Sequence, residues 1–131
     1  MQTLTGLRAA PAGAKGKNVH RWDDRRMDRY IYLLAFGGRQ VYIGQSVDPV
    51  RRIKAHRRPS GGWINPVELA LIAHRIVGSE LEIVDLEYAW RWRAHLSGWQ
   101  PISLDGIPFD MALVRESAKH QADLLPWPFI T

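Results

Sequence analysis

Residues Tyr30 to Arg58 read YIYLLAFGGRQVYIGQSVDPVRRIKAHRR, and the reading of this stretch decides the fold. Tyr30–Phe36 and Gln40–Ile43 are β-branched and aromatic runs split by Gly37-Gly38-Arg39, a hairpin signal. Asp48-Pro49 reads as a helix N-cap followed by proline at the first helical position. The helix is expected to run to about Arg58, where Pro59-Ser60-Gly61-Gly62 stops it.

Working outward, Val67–Val77 is expected to be a third strand, bounded by Gly62 and Pro66 before it and Gly78 after it. Ser79 to Glu82 is a capping-box pattern opening a second helix to about Leu96, closed by Gly98. Residues 101–108 read as a loop and 109–125 as a final helix, ended by Pro126-Trp127-Pro128. The order β-β-α-β-α-α gives an α+β class: a small three-stranded antiparallel sheet flanked by helices, with a C-terminal helical extension. Residues 1–26 are expected to form a flexible basic arm, 27–105 the core domain, and 106–131 the C-terminal helix and tail. Within that approach, His20 to Arg29 is charge-dense and is compatible with a short helix or an arm.

The 131 residues suffice for one domain with a modest core. There is no cysteine, which excludes a disulfide framework and a thiolate metal site. No apolar run is long enough to span a membrane and no signal-type apolar segment opens the chain, so a cytoplasmic protein is expected. Net charge is +5 but unevenly placed. Residues 1–60 hold 13 Lys/Arg against 4 Asp/Glu, and residues 61–131 hold 5 against 9. A basic front half suits a polyanion such as nucleic acid, and it also suits a merely solvated surface.

Tyr32 and Tyr42 fall on neighbouring strands, where side chains of one face meet. Arg52 and His56 stand at i and i+4 and share one helical face, while Arg51 points elsewhere. Two phenols, a guanidinium and an imidazole around one point are groups that cutting a phosphodiester requires. A forked guanidinium stabilises charge developing on phosphate. A phenol beside Arg52 and a divalent cation loses its proton more easily and orients or activates water. An imidazole donates a hydrogen bond, or a proton to the leaving oxygen. The bland alternatives are strand-packing tyrosines, a surface arginine and a helix-end histidine.

This ordered set resembles the GIY-YIG nuclease family. Its first motif is matched by Tyr30-Ile31-Tyr32 and its second by Tyr42-Ile43-Gly44. The family's helix arginine and histidine fall at Arg52 and His56, and its metal-binding glutamate at Glu87, with Trp90 three positions on. The resemblance implies a β-β-α-β-α core and cleavage of nucleic-acid phosphodiesters, here taken as DNA, with Mg²⁺ or Mn²⁺ on Glu87. A single carboxylate completed by phosphate oxygens and water is an ordinary Mg²⁺ site. The competing reading of Glu87 is an i,i+4 ion pair with Arg91. The chain departs from the family pattern at Tyr30, where glycine is usual, and in residues 99–106, which lack the usual closing asparagine; Ser103 is the candidate for that place. That departure keeps a second reading open, a nucleic-acid-binding module without turnover on the same scaffold.

Lys54, Arg57 and Arg58 are the candidates for phosphate contacts beyond the cut, and Trp63 the candidate for base stacking. The apolar positions of 109–125 suit either docking on a partner or covering the domain's own core.

Overall fold

The computed structural model describes residues 26–129. The expected hairpin is present: β1 (Met27–Phe36) pairs antiparallel with β2 (Gln40–Ser46), with Tyr32 opposite Gly44 and Leu34 opposite Tyr42. The turn between them needs left-handed backbone at Gly38 (φ 74°) and at Arg39 (φ 58°). Glycine supplies the first without steric cost. Both strands run about three residues beyond the expected hairpin, β1 starting at Met27 and β2 ending at Ser46. Met27–Arg29 are therefore strand, neither helix nor arm. The rest of the arm expected over residues 1–26 lies outside the described residues, apart from Arg26.

Helix α1 (Pro49–Arg57) begins as expected, with the Asp48 carboxylate accepting from the Arg51 N–H. A short 3-10 turn, Pro59–Gly61, ends it. Strand β3 (Leu69–Gly78) pairs antiparallel with the other edge of β1. Helix α2 (Glu80–Leu96) opens with the full capping box: Ser79 Oγ accepts from the Glu82 N–H, and the Glu82 carboxylate accepts from the Ser79 N–H at 2.8 Å.

Two expectations are corrected after α2. Residues 101–108 do not form only a loop. Gln100–Ile102 make a fourth strand, β4, which pairs parallel with Gln40–Tyr42 of β2. The sheet is thus four-stranded and mixed, in the order β3-β1-β2-β4. The final helix is also shorter than 109–125. Asp110 caps a 3-10 turn at Met111–Leu113, the chain extends at Val114 and Arg115, and only Glu116–Ala122 form helix α3.

The pleat of β1 divides the molecule. Ile31, Leu33 and Ala35 point to one face, where Val41, Ile43, Leu86, Ala89 and Trp90 form the main core. Met111, Val114, Ala118, Ala122 and Leu125 belong to that same core, so the C-terminal segment covers its own domain. Tyr32, Leu34 and Phe36 point to the other face, toward Tyr42, Ile53 and Trp63. The side-chain period of two along a strand is the reason one short segment serves a core and a cleft at once. Among the described residues, no helix is long and apolar enough to cross a membrane.

Candidate functional site

Tyr32 is the centre of the second face. It is 1% exposed, and its hydroxyl lies 3.0 Å from His56 Nε2. His56, 6% exposed, stands on the inner face of α1 and accepts from the Trp63 indole N–H at its Nδ1, 3.2 Å away. Tyr42 closes the group: its ring centre is 6.1 Å from that of Tyr32, 5.4 Å from that of His56 and 5.3 Å from that of Trp63. Phe36 supports Trp63 from beneath at 4.9 Å. The i,i+4 spacing on α1 thus delivers His56 to the phenols, as read from the sequence. Arg52 is half-buried on the same side, whereas Arg51 is exposed.

Gly44 makes room for this packing. A Cβ at that position would lie 2.6 Å from both Cζ and the hydroxyl of Tyr32 and 2.9 Å from Tyr42 Cε2. Tyr32 has nowhere to go, being fully enclosed. Gly44→Ala is therefore expected to cost about 1–3 kcal/mol by overpacking and to break the Tyr32–His56 hydrogen bond. Urea denaturation measures the first effect and the Tyr32 and His56 NMR resonances the second.

Burial sets the electrostatics. It pushes the Tyr32 phenol far above its ordinary range, Tyr42 adds to the rise, and the Arg52 guanidinium opposes it. Tyr42 is raised by burial and by the Glu87 charge, against Tyr32, Arg91 and Arg52. Within the protein's own field both phenols therefore stay neutral: Arg52 does ease proton loss, as expected, but burial outweighs it. His56 is pushed down to about 4, chiefly by burial and then by the Arg52 charge. It is a neutral imidazole at physiological pH, and both of its ring nitrogens face protein partners. In this arrangement His56 holds Tyr32 in place, and the role of proton donor to a leaving oxygen does not fit it.

Glu87 is half-buried on α2, and its charge acts on Tyr42. Strand β4 covers β2 only as far as Tyr42. Arg91, one turn further along α2, donates to the Ile43 carbonyl just beyond that limit, at 3.4 Å. Its guanidinium lies over the rings of Tyr88 and Phe109, at 4.7 and 4.2 Å, and it is 8% exposed. Burial raises the Glu87 carboxyl, and the Arg91 charge and the Gln45 side chain oppose that rise. Sequence reasoning treated Arg91 only as the bland partner of Glu87. Its charge favours the ionised form of that carboxylate against burial, and the i+4 spacing was the available signal.

Among the described residues, no three His, Cys, Asp or Glu side chains come together as a metal-holding group. A Mg²⁺ ion on one carboxylate would have to take its remaining ligands from water and phosphate. Lys54, Arg57 and Arg58 are exposed along α1, as a phosphate-contacting face requires. A groove of about 520 Å³ beside them is lined by His56, Arg57, Arg58, Trp63 and Asn65. Trp63 itself is half-buried, its N–H engaged by His56 and its ring packed against Phe36 and Tyr42. Ser103 does not approach the cleft chemistry: its hydroxyl accepts from the N–H groups of Asp105 and Ile107, closing the turn after β4. Comparisons with the models of known protein families, with curated proteins and with solved structures find no match to this chain.

Proposed function

We propose that this protein is a divalent-metal-dependent endonuclease of GIY-YIG type that hydrolyses phosphodiester bonds in DNA. What supports the reading is the packing of Tyr32 and Tyr42 on His56, with the Arg52 charge acting on both phenols and the Glu87 charge on Tyr42, beside a groove lined by Arg57 and Arg58.

Arg52 forks onto the non-bridging oxygens of the scissile phosphate and stabilises the charge that develops there. The neutral Tyr42 hydroxyl, supported by Tyr32, orients the attacking water in line with the departing sugar oxygen. His56 fixes Tyr32, so that the phenols hold their places before substrate arrives. Glu87 would hold Mg²⁺ or Mn²⁺, and the Arg91 charge favours the ionised form of that carboxylate. When bound, the cation supplies Lewis-acid polarisation of the phosphate and neutralises charge on the leaving oxygen. The basic residues of α1 contact phosphates on either side of the cut and fix the register of the strand.

The test is a panel of single-stranded, duplex and branched DNA incubated with the protein in Mg²⁺ and in EDTA. Cleavage that requires Mg²⁺ and falls with rising salt is expected. Tight binding to the same substrates with no cleavage in either condition would instead mark a nucleic-acid-binding module on this scaffold.

A further inference from the structure

Trp63 lies in the loop after α1, and its hydrogen bond into the cleft fixes more than its own place. An indole N–H only donates, so the nitrogen it contacts, His56 Nδ1, must carry a lone pair. A neutral imidazole has one N–H, which then sits on Nε2. That atom is 3.0 Å from the Tyr32 hydroxyl, so His56 donates and the Tyr32 oxygen accepts. The Tyr32 hydrogen is left to point elsewhere. Arg52 offers no acceptor. The neighbouring phenol on the far side is Tyr42, its ring centre 6.1 Å away and the more exposed of the two.

We propose that Trp63 is a positioning residue that sets the direction of a donor chain, from its indole N–H through His56 to Tyr32, and so turns the Tyr32 O–H away from His56 toward the Tyr42 side of the cleft. The effect on turnover rests on the nuclease reading above, whereas the direction of the chain does not. With the opposite tautomer of His56, Tyr32 would donate inward to Nε2. The Tyr32 oxygen would then turn a lone pair, in place of its hydrogen, toward the cleft. Trp63 excludes that state because its N–H would face the N–H of Nδ1. The depressed His56 pKa agrees with a ring held neutral between two fixed partners.

The experiment is ¹⁵N NMR of the histidine ring nitrogens at neutral pH on wild type and Trp63→Phe, paired with steady-state cleavage by both. Phenylalanine keeps the ring against Phe36 and Tyr42 and removes only the donor. In wild type, His56 is expected to show a pyrrole-type Nε2 and a pyridine-type Nδ1. Trp63→Phe is expected to show both tautomers and to lose about tenfold in kcat with KM unchanged, the worth of one oriented hydrogen bond. A purely structural Trp63 would alter the unfolding midpoint and leave the tautomer alone. A wild-type His56 protonated on Nδ1 overturns the proposal, as does a Trp63→Phe protein that keeps the single Nε2–H form. The tautomer is read without turnover, so a wild-type protein that cuts nothing overturns the nuclease reading alone.

Discussion

Glu87→Gln is expected to lower metal-dependent cleavage by more than about 10²-fold while leaving the protein folded. Loss of an outer-shell partner of a metal site already costs about 10- to 100-fold, and Glu87 is the ligand itself. Among the described residues no three His, Cys, Asp or Glu side chains come together around it. Asp85, the nearest rival in sequence, is bound by Arg115 and Ser117 on another side of α2. The amide keeps the size and shape of the carboxylate, so the packing around Tyr88, Arg91 and Gln45 has no reason to collapse. Stability is informative here because burial raises the Glu87 carboxyl. A carboxyl whose folded pKa lies above its unfolded value weakens the fold at neutral pH and ceases to do so as pH falls through the folded pKa. Removing the charge is therefore expected to leave the unfolding midpoint at neutral pH unchanged or higher. Cleavage rates in Mg²⁺ and urea denaturation of the same preparation check both halves. A Glu87→Gln protein that cuts at the wild-type rate would remove Glu87 from the mechanism.

How far the site could be read in advance follows from where each residue lies. The hairpin and α1 were legible because local signals there agree: alternation, a Gly-Gly turn, an Asp-Pro cap and a Pro-Gly stop. Once that segment was placed, Tyr32, Tyr42, Arg52 and His56 had fixed faces, and the cleft followed. Strand β4 was hidden because it is three residues long, contains proline, and forms only by pairing parallel with a strand 60 positions earlier in the chain. Local propensity carries no trace of such a pairing. The final helix was overextended because Asp110 competes for the backbone N–H of Ala112 and diverts the chain into a 3-10 turn. From its place in a loop, Trp63 reads only as a candidate for base stacking. Only the fold reveals that the loop turns back and hands its indole N–H to His56. The charges were misjudged for a related reason. Spacing shows which groups meet, but burial decides which stay neutral, and burial of the phenols outweighs Arg52.

His56→Gln is expected to flatten the acid limb of the stability curve. The folded pKa of His56 is depressed to about 4 from an ordinary 6.5. A histidine held neutral in the fold contributes stability that is fully present above its unfolded pKa. That contribution is lost as pH falls from about 6.5 toward 4, because the unfolded chain takes up the proton first. The groups facing it do not offset the loss: Tyr32 and Trp63 are neutral, Tyr42 is neutral, and the Arg52 charge adds to the depression. Between about pH 7 and about pH 4.5 the wild type should lose about 2 kcal/mol from this one group, a large part of a typical domain's stability. The lowered carboxyls of Asp28 and Glu82 add an acid limb of their own, at lower pH. That limb is shared by wild type and variant and cancels in the difference between them. Glutamine cannot ionise, so the variant should start less stable at neutral pH, by about 1–3 kcal/mol for the disturbed hydrogen bonds, and fall less steeply. Urea denaturation at several pH values gives both curves. Their convergence toward acid is the expected result, and parallel curves from about pH 7 to about pH 4.5 would mean that His56 is not held neutral in the cleft.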